Sequence, residues 1–439
     1  MNKLQEQAAK LKPTPASTML HALWPLAVAI AIGLFMVLVV GRSVDPYKGN
    51  ILINCGIAII LAVSLTVVNG FTGQFSMGHA GFMAVGGYTA AVIVYYSTMK
   101  IWGDADFHGG ALSYTGAGSA EGAWFGWGDV LFVFGCLLAG TLAAIAGYLV
   151  GLPSLRLRGD YLAIVTLGFG EIVRVILQGS KDQIQPWKAS EVADTPWYQL
   201  PLKLGGPKGF NLMPTYTTLF WVYLAVVLTL IIIYRLKVSS SGRAFLSIRE
   251  DEVASQAMGV DITKYKVRAF VLSSFFAGVA GALFAMYNGT INAAELGFQK
   301  SFDIIIMVVL GGMGSISGAA IAAVILTILP EILRSPPHVW PWGLGLLAVM
   351  TGIQAFRRNW NTPSLIVVAV ATTLLEIGRD VCLANSINPA DYRLVLYALL
   401  LILMMILRPD GLFGVNEIWN LVRFGRPKQR PAPQLGEKP

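Results

Sequence analysis

The sequence predicts an all-α, polytopic integral membrane protein, and three observations lead to this prediction. Of the 439 residues, 55% are apolar and only 13% are charged, whereas soluble domains carry about 25% charged residues. The mean hydropathy is +0.64. The apolar residues fall into runs, and because one crossing needs about 20 residues, they suffice for about 10–12 transmembrane helices. Little of the chain remains for a separate soluble domain.

The apolar runs give the predicted spans in chain order. A polar segment, 1–22, precedes a first run that is too long for the apolar region of a signal peptide, so we predict a retained span there. The runs 303–312 and 343–356 are too short for ordinary crossings. We expect broken or re-entrant helices there, or helices that lie against other protein. The twelve runs are 23–40, 51–69, 78–99, 129–151, 160–178, 217–234, 269–287, 303–312, 318–333, 343–356, 363–378 and 392–407.

The basic residues predict the orientation of these spans. If the N-terminus is inside, the loops assigned to the inside hold 20 Lys and Arg residues and those assigned to the outside hold 10. Positive residues concentrate in cytoplasmic loops, so we predict that both the N-terminus and the C-terminus are cytoplasmic. Basic loops facing anionic lipid also explain much of the net charge of +8 without nucleic acid.

The sequence lacks the motifs of common enzyme and metal sites. It contains no HExxH, EF-hand loop or Gly-x-Ser-x-Gly elbow. Cys55, Cys136 and Cys382 lie in or beside apolar runs, without the spacing of metal ligands or of a disulfide framework. No Gly-Lys dipeptide occurs, which excludes a Walker A loop. We therefore predict no catalytic residue and no metal site, and any ATP-driven work requires an ATPase on another chain.

Two Gly-rich segments interrupt apolar runs and predict a substrate path: 69–81, the first break, and 311–318, the second break. Backbone freed from helical bonding in hydrocarbon must be satisfied by protein or by a water-lined cavity, and paired helix breaks point to a transport site. Alternatively, the glycines and serines only allow close helix packing. The predicted path residues are Asn69, Gly70, Gly73, Gln74, Ser76, Gly78, His79, Gly311, Gly312, Gly314, Ser315 and Ser317.

The two breaks also align with each other, which is compatible with a parallel internal repeat. Half-helix N-termini favour a carboxylate, and carbonyl-facing ends favour an ammonium group, so a zwitterionic amino acid matches such a site. His79 has no acidic neighbour in sequence and makes a poor proton relay. The aligned pairs are Gly70 with Gly311, Gly73 with Gly314, and Ser76 with Ser317.

The longest predicted inside loop, 235–268, holds a candidate coupling element. Residues 250–258 predict a short helix, because helix formers follow acidic residues and Gly259 is placed to end it. Such a helix could present a permease to an ATPase, or could be an ordinary interfacial connector. The predicted coupling residues are Arg249, Glu250, Glu252, Ala254, Ala257, Met258 and Gly259.

Five motifs occur in this order: NGFTGQFSMGHAGFMAVGGY at 69–88, LRGDYLAIVTL at 157–167, RAFLSIREDEVASQAMG at 243–259, LGGMGSISG at 310–318 and RPDGL at 408–412. Together they resemble the LivM subfamily of branched-chain amino acid ABC transporter permeases. The resemblance implies an inner-membrane permease subunit that pairs with a LivH-like permease, is driven by LivG- and LivF-like ATPases, and receives leucine, isoleucine or valine from a periplasmic binding protein. It also implies that this chain binds no cofactor, since ATP and magnesium would bind the ATPases.

The resemblance also divides the chain and leaves alternatives. A related UrtC-like permease for urea or short-chain amides shares these motifs, and a self-sufficient ion-coupled transporter is disfavoured because the spans hold few acidic residues. The predicted parts are an N-terminal tail and extra first helix at 1–50, a permease core at 51–334, an atypical insertion with two weakly apolar segments at 335–391, the last helix at 392–414, and a basic tail at 415–439.

Overall fold

The computed structural model describes residues 26–43, 45–114, 124–154 and 161–334, together with the single residues 395, 399, 402 and 417. Within these residues the chain is helical and has no β-strand, apart from one antiparallel bridge between Phe210 and Ile291. The predicted spans 343–356 and 363–378 lie outside the described residues, as does nearly all of 392–407.

Six described helices are long and apolar enough to cross a membrane: α2, α3, α4, α5, α7 and α10. The prediction of a multi-pass helical membrane protein is therefore confirmed. The described helices are α1 (Leu26–Val40), α2 (Pro46–Phe71), α3 (His79–Trp102), α4 (Trp127–Ser154), α5 (Tyr161–Gln178), α6 (Ala189–Asp194), α7 (Leu219–Val238), α8 (Ser240–Glu250), α9 (Glu252–Ala257), α10 (Ile262–Asn288), α11 (Phe298–Gly311) and α12 (Ile316–Arg334).

Three of the long helices form the centre of the bundle. At least 72% of the most apolar part of α2, α3 and α10 is buried, against 39% or less in α4, α5 and α7. Gly86 of α3 faces Gly278 of α10 so closely that a Cβ on Gly86 would lie 2.2 Å from the Gly278 carbonyl oxygen. Small residues permit this close approach of membrane helices. The apolar faces that α4, α5 and α7 leave exposed suit contact with lipid.

The short helix α11 confirms that the run 303–312 is not an ordinary crossing. It has 14 residues, and most of its apolar residues are buried against other helices. The second break separates it from α12, which packs against α2. The pair α11 and α12 therefore enters the bundle and turns back beside α2.

The connecting segments collect at two ends of the bundle. At one end, which we call the outer end, Lys100 donates a hydrogen bond to the Thr195 carbonyl, and Phe210 pairs with Ile291. At the other, the inner end, Arg249 of the segment 239–261 donates a hydrogen bond to the Gly70 carbonyl of the first break. Consecutive membrane helices place their connecting segments alternately at two such ends, and which end faces the cytoplasm stays a prediction.

Candidate functional site

The two Gly-rich breaks meet at the inner end. A Cβ on Gly70 would lie 2.6 Å from the backbone nitrogen of Gly314, and both glycines are buried. Real Cβ atoms do not approach other atoms this closely, so only glycine fits at position 70. Segments that lie more than 200 residues apart in the sequence thus form one contact, which we call the break junction.

The first break is an irregular segment whose buried polar atoms are only partly satisfied. Asn69 Oδ1 accepts a hydrogen bond from the Ser76 backbone nitrogen at 3.2 Å, and Gly73 turns the chain with φ +68°. Asn69 Nδ2 and Gln74 Oε1 are buried and have no hydrogen-bond partner among the described residues. Because an unsatisfied buried polar atom costs about 1–3 kcal/mol, these amides are suited to bind water or a passing polar group.

The start of α3 is tied to two neighbouring helices. His79 Nε2 lies 2.9 Å from Ser64 Oγ, and the Ser64 hydroxyl donates its own proton to the Leu61 carbonyl. Ser64 therefore accepts from His79, which places a proton on Nε2. The Ala80 backbone nitrogen donates to Ser301 Oγ of α11 at 3.1 Å. These contacts hold His79 against α2, away from the break junction.

Gly78 is also placed away from the second break. A Cβ on Gly78 would lie 2.2 Å from the Thr166 carbonyl oxygen of α5, and the Met77 backbone nitrogen donates to Thr166 Oγ1. The structure therefore brings Gly70 and Gly314 together, whereas Gly78 packs on a different helix.

The second break is a tight turn that depends on glycine. Gly312 and Gly314 have φ values of +108° and +107°, a region that other residues rarely adopt. A Cβ on Gly311 would lie 2.4 Å from the Gly318 carbonyl carbon. Ser315 Oγ accepts from the Gly318 backbone nitrogen at 3.0 Å and closes the turn.

A carboxylate that the sequence analysis missed closes the second break. Glu417 accepts hydrogen bonds from the backbone nitrogens of Ile316 and Ser317, both at 3.0 Å, and from Ser317 Oγ at 2.6 Å. Lys237 Nζ lies 2.5 Å from Glu417 Oε1 and donates to the Gly314 carbonyl at 2.7 Å. A negative charge at the start of α12 is favourable, because the N-terminal end of a helix carries a partial positive charge.

The surroundings of Glu417 keep it ionised. The side chains of Glu417 and Lys237 are only 4% and 14% exposed. Burial alone would raise the pKa of Glu417, but hydrogen bonds from Lys237 and Ser317 outweigh it and hold the pKa below its ordinary value. Lys237 ends an apolar run, yet no local pattern links it to a residue 180 positions away.

The candidate coupling segment, which we call the coupling segment, consists of α8 and α9. The prediction of a single helix over 250–258 is wrong in its first residues. α8 ends at Glu250, Asp251 is extended with φ −157°, and α9 begins at Glu252. Asp251 Oδ1 accepts hydrogen bonds from the backbone nitrogens of Val253 and Ala254. Aspartate is favoured at the N-cap of a helix and disfavoured in a helix interior, so Asp251 separates two helices. Gly259, with φ +85°, follows the end of α9 as predicted.

Arg249 connects the coupling segment to the first break. Its Nη1 donates to the Gly70 carbonyl at 3.1 Å, while its Nη2 lies 2.7 Å from Glu250 Oε1. The stem of Arg249 packs so closely on Gly73 that a Cβ there would lie 2.9 Å from Arg249 Cγ. A displacement of α8 would therefore act directly on the first break.

α9 presents an apolar surface at the inner end. Met258 is 85% exposed and Val253 77% exposed, and Ala254 and Ala257 are exposed as well. Glu252 pairs with Lys266 of α10 at 2.5 Å, which fixes α9 to the bundle. Within the described residues, no group of three or more His, Cys, Asp or Glu side chains could hold a metal ion.

Residues 48–353 match the sequence model of a family described as the permease component of the branched-chain amino acid transport system. The match includes both breaks, α8 and α9. The chain belongs to this permease family. The part of the predicted insertion from 335 to 353 falls inside the family match.

Two similar proteins are LivM permeases of branched-chain amino acid transport systems. The chain is 34% identical to the high-affinity branched-chain amino acid transport system permease protein LivM of Salmonella typhimurium strain LT2, over 74% of this chain and 71% of that protein. It is 36% identical to LivM of Escherichia coli strain K12, over 63% of this chain and 61% of that protein.

A second type of Liv permease is also similar. LivH of Salmonella typhimurium is 25% identical over 61% of this chain and 78% of that protein. The chain is thus related to both permeases named in one Liv-type transport system. No solved structure matches the chain.

Proposed function

We propose that this chain is a permease subunit of a bacterial ABC importer that carries leucine, isoleucine and valine across the inner membrane. Membership of the permease family and the names of the LivM relatives support the substrate class. The observation that carries the mechanism is the hydrogen bond from Arg249 to the Gly70 carbonyl, since it links the coupling segment to a break in a membrane helix.

The proposed mechanism makes the first break the moving part. ATP-driven displacement of α8 and α9 would pull on Arg249 and shift the first break away from Gly314, which opens the break junction. Asn69 and Gln74 would then offer their amide groups to a passing substrate. The second break, held by Glu417 and Lys237, would form the fixed wall. The chain itself makes and breaks no covalent bond.

The proposed partners follow from the same arrangement. The inner end would face the cytoplasm together with both termini, and the exposed apolar surface of α9 would contact a LivG- or LivF-like ATPase, where ATP and magnesium bind. A LivH-like permease would complete the pore within the lipid bilayer. A periplasmic binding protein would dock at the outer end and supply the amino acid.

Reconstitution tests this proposal. The chain, the companion permease, both ATPases and the binding protein would be placed in liposomes, and uptake of labelled leucine would be measured with and without ATP. We expect ATP-dependent uptake that valine inhibits and urea does not, and no uptake when the ATPases are omitted. Uptake of urea instead of leucine would assign the urea and amide alternative. Ion-driven uptake by this chain alone would contradict the importer.

A further inference from the structure

A cavity of about 270 Å³ lies between α2, α11 and α12. Asn54 in the first turns of α2, Lys300 in the first turn of α11 and Glu331 near the end of α12 all line it, and these parts of the helices lie toward the outer end. Its deeper part is apolar and includes Leu61 and Met307. The cavity therefore has a polar mouth and an apolar floor.

The mouth holds charges of both signs. Lys300 lies with its Nζ 5.8 Å from the centre of the Phe284 ring, and Asp303 and Glu331 line the same space. Glu331 Oε1 is buried and accepts no hydrogen bond from the part of the chain that the structure describes. Ionisable groups inside a membrane protein are costly and mark substrate or ion pathways, and a buried carboxylate oxygen needs a donor.

The size and floor of the cavity restrict the ligand. Its volume of about 270 Å³ is enough for a free amino acid the size of leucine. The floor is lined mainly by apolar side chains such as Ile304 and Leu326, with Thr327 beside them, and it favours an aliphatic group. A neutral, planar molecule such as urea would leave both the charges and the floor without a match.

We propose that this cavity binds a free amino acid with a branched aliphatic side chain. The ammonium group lies toward Glu331 and Asp303, the carboxylate toward Lys300, and the side chain toward the apolar floor. This inference rests on the proposed function and adds where the substrate binds. Leu61 on the floor lies nine residues before Gly70 in α2, so the cavity is separated from the break junction by roughly 14 Å of helix.

The charge contacts are tested in the complete importer with Glu331→Gln and Lys300→Gln. Loss of one charge-assisted contact is expected to raise the KM for leucine about tenfold to a hundredfold. 4-Methylvalerate lacks the ammonium group and leucinamide lacks the carboxylate. Glu331→Gln is therefore expected to reduce the disadvantage of 4-methylvalerate as a competitor, and Lys300→Gln that of leucinamide. Thr141→Ala, on the exposed face of α4 and away from the cavity, is the control and is expected to keep the wild-type KM within about twofold.

A change in the floor tests the site through selectivity, even if a charge variant fails to fold. Met307→Phe would fill the floor and is expected to raise the KM for leucine several-fold more than that for valine. If the KM values and the competition are unchanged in all three cavity variants, the cavity is not the binding site. Leucine uptake by the wild-type importer would still support the proposed function in that case. If the wild-type importer moves no leucine, the proposed function is wrong, and the assignment of the cavity falls with it.

Discussion

The two breaks have similar composition but are held in different ways. In the second break, Ser315 and Ser317 are hydrogen-bonded, and Glu417 and Lys237 close the turn with an ion pair. In the first break, Asn69 Nδ2 and Gln74 Oε1 find no partner among the described residues. The Arg249 side chain links it to the coupling segment.

This difference bears on the proposed mechanism, in which one break moves and the other stays in place. A fully hydrogen-bonded turn with a buried ion pair resists displacement, because moving one partner leaves a buried charge uncompensated. A segment with unsatisfied amides is expected to move at lower cost, because fewer hydrogen bonds must break. The comparison therefore supports the proposal that the second break is the fixed wall and the first break is the moving part.

The largest effect is expected from removing the carboxylate of the second break. Glu417→Ala leaves Lys237 buried without its partner and should destabilise the protein by about 3–5 kcal/mol, measured by denaturation in detergent. The double variant Glu417→Ala/Lys237→Met removes both charges and should recover much of this loss. If Glu417→Ala is as stable as the wild type, the second break is not held as described.

A smaller effect is expected from crowding the break junction. Gly70→Ala places a methyl group 2.6 Å from the Gly314 nitrogen, and overpacking of this kind costs about 1–3 kcal/mol. ATP-driven leucine uptake should fall at least tenfold, because the breaks no longer meet in the same geometry. The control is Gly49→Ala in the same helix, where the structure places nothing within 4 Å of a new Cβ. Equal uptake by the two variants would show that the geometry of the break junction is not needed for transport.

The smallest effect concerns the dependence of the second break on pH. The pKa of Glu417 in the folded protein is lower than its ordinary value near 4.5. Its contribution to stability is therefore complete above pH of about 4.5 and is lost as the pH falls through the folded-state pKa. Melting temperatures measured from pH 7 down to pH 3 should show this loss in the wild type. Glu417→Gln should lack that component, and an identical pH profile in both proteins would exclude it.

Local patterns in the sequence predicted much of the fold and the general position of the site. Runs of apolar residues mark α2, α4 and α7 because a membrane helix must be apolar along its length. The breaks are visible because Gly312 and Gly314 interrupt such a run. The contact between Gly70 and Gly314 could not be predicted, since it depends on how α2 and α12 pack.

The missed residues have no local signal. Glu417 lies 100 residues beyond Ser317, and an acidic residue in a basic tail has the appearance of a surface residue. The helix predicted to begin at residue 250 begins at Glu252 in the structure, because the Asp251 side chain caps α9. Glu331 belongs to a run that reads as an ordinary span, and only the packing of α11 places Lys300 beside it.

The role of Arg249 is tested most directly by the ratio of leucine transported to ATP hydrolysed in the reconstituted importer. Arg249→Ala removes the hydrogen bond to Gly70, and Arg243→Ala removes an exposed arginine from the same helix as a control. We predict that Arg249→Ala keeps ATP hydrolysis but lowers this ratio at least tenfold, while Arg243→Ala keeps the wild-type ratio. A wild-type ratio in Arg249→Ala would contradict the coupling of α8 to the first break.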